Sequence, residues 1–195
     1  MDCGEYNNIH PVDKRTPGER LGNCALHQVY GMSRIPVYGP TVLGFRCDEG
    51  GRVRLFFRYA HGLHFSGTTP DSYGDKFDKS LPSLVRLPER SGFELAGADG
   101  VFHPATAAIF VDCDIDDLIN AKVNVVDYNA TEFGIPINSR SIGTITLATP
   151  EVPAPVMMRY AWRSWGPAPL VNDNDLPAHP FKLDLTDHTD SDHAE

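Results

Sequence analysis

The residues best placed by type to do chemistry lie near the start of the chain, in the string Asn8-Ile9-His10-Pro11-Val12-Asp13-Lys14. A histidine in a polar loop, fixed by a following proline, can act as a general base with a pKa near neutrality. A single loop histidine is more often an ordinary surface residue, so His10 needs support from elsewhere. Other groups are weaker candidates. His61 and His64 stand three apart beside aromatic residues, but no third metal ligand accompanies them. Asp112, Asp114, Asp116 and Asp117 are acidic enough for calcium, yet the glycine and closing glutamate of a calcium loop are absent, which favours a solvated turn. Asn129-Ala130-Thr131 is a glycosylation sequon, meaningful only in a secreted chain. Met158, Tyr160 and Trp162 alternate as the inner face of a core strand would, and Trp165 lies beyond it as a possible sugar platform.

Something must hold His10 in place. Thr16, Pro17 and Glu19 read as a helix start with a capping box, followed by Leu21, Cys24, Ala25 and Val29 on one face and Gly31 as a left-handed stop. This predicts a helix over 17–30. Beyond Tyr38-Gly39-Pro40 the pattern turns to short extended runs. Strands are expected at 53–59, 92–96, 102–111, 123–128, 141–148 and 156–162, with 62–65 as the returning edge of a hairpin and a tight turn at Ala98-Asp99-Gly100. Residues 68–90 read as a long loop, and 150–155 as a proline-stiffened connector. With 17 glycines and 16 prolines in 195 residues there is little room for long helices, so the expected class is mainly β.

Seventeen basic against 26 acidic residues give a net charge of −9, and no basic run exists, which argues against a nucleic-acid partner. No stretch of ~20 apolar residues could span a membrane as a helix. Cys3, Cys24, Cys47 and Cys113 form no C-x-x-C pair, so buried free thiols are expected rather than a zinc site.

Four blocks, in order, carry a resemblance. Ile9-His10-Pro11-Val12-Asp13-Lys14 with Gly18-Glu19-Arg20-Leu21 and Val29-Tyr30-Gly31 is the first, followed at once by Val37-Tyr38-Gly39-Pro40. Gly92-Phe93-Glu94-Leu95-Ala96-Gly97 with Phe102-His103-Pro104-Ala105 comes next. Val156 through Trp162 with Leu176-Pro177-Ala178-His179-Pro180-Phe181 closes the set. Together they resemble the C-terminal portion of the sialate O-acetylesterase family, within the SGNH-type carbohydrate esterases. The stretches 68–90 and 112–140 match it poorly.

That resemblance implies hydrolysis of an acetyl ester on a sugar such as O-acetyl sialic acid, with no cofactor or metal. A serine attacks the carbonyl and a histidine relays its proton. His10 is the implied general base. The implied nucleophile lies in a Gly-Gln-Ser-Asn string, which these 195 residues do not contain. The chain is thus expected to start inside the catalytic domain and to need an N-terminal catalytic segment as its partner. Where related enzymes carry an aspartate to orient the histidine, this sequence has Asn7 and Asn8. Either can accept a hydrogen bond but brings no charge, and Glu5 and Asp2 are the nearby carboxylates.

The expected organisation is therefore a loop-helix remnant of an α/β SGNH hydrolase domain over 1–38, a β-sandwich-like domain over 39–182, and a disordered acidic tail over 183–195. The competing reading is a non-catalytic β-sandwich module that binds glycan or a partner chain. The two differ in whether the apolar face of the helix is covered by the β domain.

Overall fold

The computed structural model describes residues 10, 12–66, 84–85, 90–110, 124–125, 142–164 and 168–186. Asn7, Asn8, Cys3, Cys113, Trp165, the acidic run 112–117, the sequon at 129–131 and most of 68–90 lie outside the described residues. Helix α1 spans Arg15–Gln28. Among the described residues twelve strands follow: β1 Thr41–Asp48, β2 Arg52–Arg58, β3 His64–Phe65, β4 Leu84–Val85, β5 Phe93–Ala96, β6 Phe102–Pro104, β7 Thr106–Phe110, β8 Asn124–Val125, β9 Gly143–Ala148, β10 Met157–Tyr160, β11 Leu170–Val171 and β12 Phe181–Asp184. The chain is mainly β, as its composition implies, and every pairing among the described residues is antiparallel.

A six-stranded sheet runs β4-β7-β9-β2-β1-β8, and a four-stranded sheet runs β12-β10-β5-β6. Their inner faces share one apolar core. Val53, Leu55 and Phe57 of β2 meet Phe93 and Leu95 of β5 and Met158 and Tyr160 of β10 in it. The period-2 pattern of β2 explains this, because Arg52, Arg54 and Arg58 fall on the opposite side from those three. Phe181 bridges the layers, with ring centroids 6.0 Å from Phe57 and 5.7 Å from Tyr160.

The expected strand over 102–111 divides at Ala105, leaving β6 in one sheet and β7 in the other. Such a corner needs its backbone groups satisfied. Buried Ser91 does part of this, donating from its hydroxyl to the Ala105 carbonyl at 2.7 Å and accepting from the Phe93 N–H at 3.0 Å. The hairpin expected to end at 62–65 does not form either. β3 leaves β2 and pairs with β11, placing Phe65 opposite Leu170 in the core. Tyr160 caps this small ribbon by accepting a hydrogen bond from the Leu170 N–H at 2.9 Å.

Four strands do not announce themselves in the sequence. β4 forms within 68–90, the stretch expected to be a long loop, and pairs with β7. β1 lacks clean alternation because its register shifts between Val42 and Gly44. That irregularity lets Val42 and Phe45, an odd number of residues apart, both reach the core. β11 is two residues long. β12 lies partly inside the stretch expected to be a disordered tail: Leu183 and Leu185 are buried, and the Leu185 N–H donates to the Val156 carbonyl at 2.8 Å. Two apolar residues at alternate positions outweigh the acidic composition around them.

Trp162 is a further correction. It is 49% exposed, not part of the core. Ala161 has a left-handed φ of 49°, which ends the alternation that holds Met158 and Tyr160 inward. The cysteine expectation is also corrected, since Cys24 is half-buried and Cys47 is exposed, both as free thiols.

Candidate active-site segment

His10 is exposed and stands five residues before α1. The helix begins two residues earlier than the sequence suggests. Lys14 occupies the cap position and makes no side-chain capping bond. Asp13 replaces the expected Thr16 cap, with its carboxylate accepting from the Thr16 N–H at 3.0 Å. Hydrogen bonds from Thr16 hold the Asp13 carboxyl below the usual range. Glu19 does not close a capping box and pairs instead with Arg15 one turn back, at 2.6 Å, on the surface. Gly31 is left-handed as expected, at φ 70°, but the helix has already ended at Gln28, with Val29 as its C-cap, two residues earlier than the sequence suggests.

Helix α1 is seated on the β body through its polar side. The Arg20 guanidinium donates to the Asp175 carbonyl at 3.1 Å. His27 donates from Nδ1 to the Ile35 carbonyl at 2.8 Å, and its ring edge meets Tyr38 at a centroid distance of 5.7 Å. Tyr38 in turn stacks on Tyr59 at 4.8 Å. The β body leaves most of the apolar side uncovered: Leu21 is 73% and Val29 77% exposed, Ala25 is exposed, Cys24 is half-buried, and no residue of α1 is fully buried.

Asn172, 3% exposed, locks this junction. Its amide nitrogen donates to the carbonyls of Tyr38 and Tyr59 at 3.0 and 3.1 Å, and its oxygen accepts from the N–H groups of Asn174 and Leu176 at 3.1 and 3.2 Å. One side chain thus uses both halves of its amide to tie three separate segments together. Gly39 completes the fit, because any Cβ there would collide with the Pro177 carbonyl.

On the rim of the same junction, His61 Nδ1 donates to the Asp173 carboxylate at 2.7 Å. Asp173 also donates its N–H to the His61 carbonyl at 3.0 Å, and Gly62, at φ 61°, lets the two loops approach. A His–carboxylate pair is half of a proton relay. Among the described residues, however, no side-chain hydroxyl bonds to His61. His64 turns its Nδ1 to the Gly62 carbonyl, so the two histidines do not converge. No group of three or more His, Cys, Asp or Glu among the described residues could hold a metal. Sequence reading had no means to find Asn172 or the His61–Asp173 pair, whose members lie 112 residues apart.

No family model matches this chain, and no curated protein matches it. A solved structure does. This chain is similar to part of a carbohydrate acetylesterase. That protein, from Xanthomonas citri, is 27% identical over 94% of this chain, with a TM-score of 0.58. The chain spans 31% of the neighbour's length, about a third.

Proposed function

We propose that this chain is the histidine-bearing part of a carbohydrate O-acetylesterase, with His10 as general base and an acetylated sugar such as O-acetyl sialic acid as substrate. The observation that carries the reading is the likeness to the Xanthomonas citri enzyme across 94% of the chain, together with an exposed His10 just ahead of α1. On this reading residues 1–38 close an α/β SGNH-type catalytic domain, and 39–182 form the β domain beside it.

The reaction needs a serine from a segment outside these 195 residues. Its Oγ adds to the acetyl carbonyl while His10 takes the hydroxyl proton. Collapse of the tetrahedral intermediate breaks the ester bond, and His10 returns the proton to the departing sugar oxygen. Water then repeats the cycle on the acetyl-serine, giving acetate and free serine. Asn8 or Asn7 would orient the imidazole by accepting from its second nitrogen. A neutral amide stabilises the imidazolium less than a carboxylate does.

The test is an acetyl-ester assay in a chimera that carries this chain in place of the matched third of the Xanthomonas citri enzyme. His10→Ala is expected to lower kcat by about 10³-fold or more. A chimera that hydrolyses acetyl esters equally well without His10 would remove the proposed role. The reading as a free-standing glycan-binding module draws on exposed Trp162 alone. It predicts saturable binding of acetylated sugar to the free chain that Trp162→Ala abolishes.

A further inference from the structure

The turn at 173–176 is mostly exposed yet fully bonded. All four of its N–H groups have acceptors. Asp173 donates to the His61 carbonyl at 3.0 Å, and Asp175 to the Asn172 carbonyl at 3.0 Å. Asn174 and Leu176 donate to the side-chain oxygen of buried Asn172 at 3.1 and 3.2 Å. Tyr59 and Asp175 both take a left-handed φ of 54°, a region that residues with side chains enter at a cost. Gly62 closes the joint, since a Cβ there would stand 2.7 Å from the Asp173 Cβ. What this frame holds is a set of polar side chains in solvent. Asp173 accepts from His61 Nδ1 at 2.7 Å on one carboxylate oxygen and from Asn174 Nδ2 at 2.9 Å on the other. The His61 and Asp173 side chains are 72% and 43% exposed. Exposed pairs of this kind contribute little to stability, so the pair itself does not account for the ordering of its loops.

We infer that His61, Asp173 and Asn174 form a saccharide subsite that binds the hydroxyl groups of a neutral sugar unit next to the acetylated one. The inference deepens the esterase reading above and rests on it for the identity of the substrate. What the cluster offers is acceptors. With Nδ1 donating to Asp173, the neutral imidazole presents Nε2 as an acceptor. Asn174 turns its Nδ2 to Asp173, which leaves its Oδ1 to accept. A ligand that meets fixed acceptors on three side chains must bring several donors, and neighbouring hydroxyls on a sugar ring are such a set. Few but well-fixed polar groups are what orient a ligand. The Asp173 charge selects against an anionic unit. With one carboxylate and one imidazole the cluster falls short of a metal site. Its place suits a neighbouring subsite. The Asp175 carbonyl is held by Arg20, five helical residues or about 8 Å into α1. His10 precedes the helix by five residues, which span at most about 18 Å. A glycan chain can bridge that separation.

A nuclear magnetic resonance titration of the free chain with lactose, xylotetraose, cellotetraose and chitotetraose tests the subsite without any catalytic segment. At least one sugar should shift the His61 ring and Asn174 side-chain amide signals saturably. His61→Ala and Asp173→Ala should each weaken that binding about tenfold. Both side chains lie at the surface, so neither change should move the melting temperature by more than about 2 °C. Asn174→Ala, which leaves the His61–Asp173 bond in place, should weaken binding as well. In the chimera, an acetylated form of the sugar that binds should show a KM raised about tenfold by His61→Ala, the change falling on KM rather than kcat. Binding by the free chain beside a chimera without hydrolysis would sink the esterase reading and leave the subsite standing. No saturable shift with any of the four sugars would overturn the inference. So would binding that Trp162→Ala removes and His61→Ala does not.

Discussion

Glu94 illustrates how single residues are set by partners distant in sequence. Its side chain is buried on the outer side of β5, where it accepts from Arg159 Nε at 2.6 Å and from Arg163. Burial pushes its carboxyl up, but hydrogen bonds and charges from the two arginines outweigh this and hold it below the usual carboxylate range. Arg159 is itself fixed over the Phe102 ring, 3.9 Å from its centroid. A carboxyl with a depressed folded pKa contributes stability that is fully present above its unfolded value and is lost as pH falls through the lower, folded one. Glu94→Gln should therefore cost about 2 kcal/mol at pH 7, by leaving buried charge unpaired. It should also flatten the loss of melting temperature between pH 5 and 3. Thermal melts of both proteins across that range measure the two effects, and identical acid limbs would refute the assignment. Tyr160 offers a second check. Tyr160→Phe keeps the aromatic packing against Phe93 and Phe181 but strands the Leu170 N–H, and a urea titration should show a loss of about 1–2 kcal/mol.

At the scale of elements, the junction between α1 and the sheets depends on groups that contribute little area. Asn172→Ala removes the donors to Tyr38 and Tyr59 and the acceptor for two N–H groups in a buried place. A destabilisation of about 2–3 kcal/mol is expected in urea. Exchange protection should be lost first around 36–40 and 59–62. Gly39→Ala acts on the same joint by steric collision with Pro177 and should cost about 2 kcal/mol or more. If α1 and its linker were merely tethered to the sheets, neither change would register beyond a few tenths of a kcal/mol.

Across the whole molecule, one core spans both sheets while α1 contributes no buried residue to it. Amides of β2 and β9, paired from Val53–Leu147 to Phe57–Gly143, should exchange only through global unfolding, and those of α1 through local opening. If the proposed function holds, the free chain should show no saturable turnover of p-nitrophenyl acetate above the background its exposed histidines give as simple imidazoles, since a base without its nucleophile forms no acyl-enzyme. Saturable turnover that His10→Ala removes would contradict this. No helix among the described residues is long and apolar enough to cross a membrane.

Much of this was legible without coordinates. The density of glycine and proline fixed the class, and period-2 runs located β2, β5, β9 and β10, because alternation reports one buried face whatever lies opposite. The helix was equally plain from its 3.6-residue repeat, though both its ends lie two residues earlier than Pro17 and Gly31 suggested. Other features depend on what the chain meets in space. The repeat of Leu21, Ala25 and Val29 identifies an apolar face but not which side the β body occupies, and Arg20 settled that by bonding to Asp175, 155 residues away. The irregular register of β1, the sheet change at Ala105 and the burial of Leu183 and Leu185 each follow from a partner strand that local periodicity does not encode. His10 could be singled out by its neighbours in the sequence. Asn172 and the His61–Asp173 pair became visible only on folding, because a hydrogen bond between residues more than a hundred positions apart leaves no local pattern.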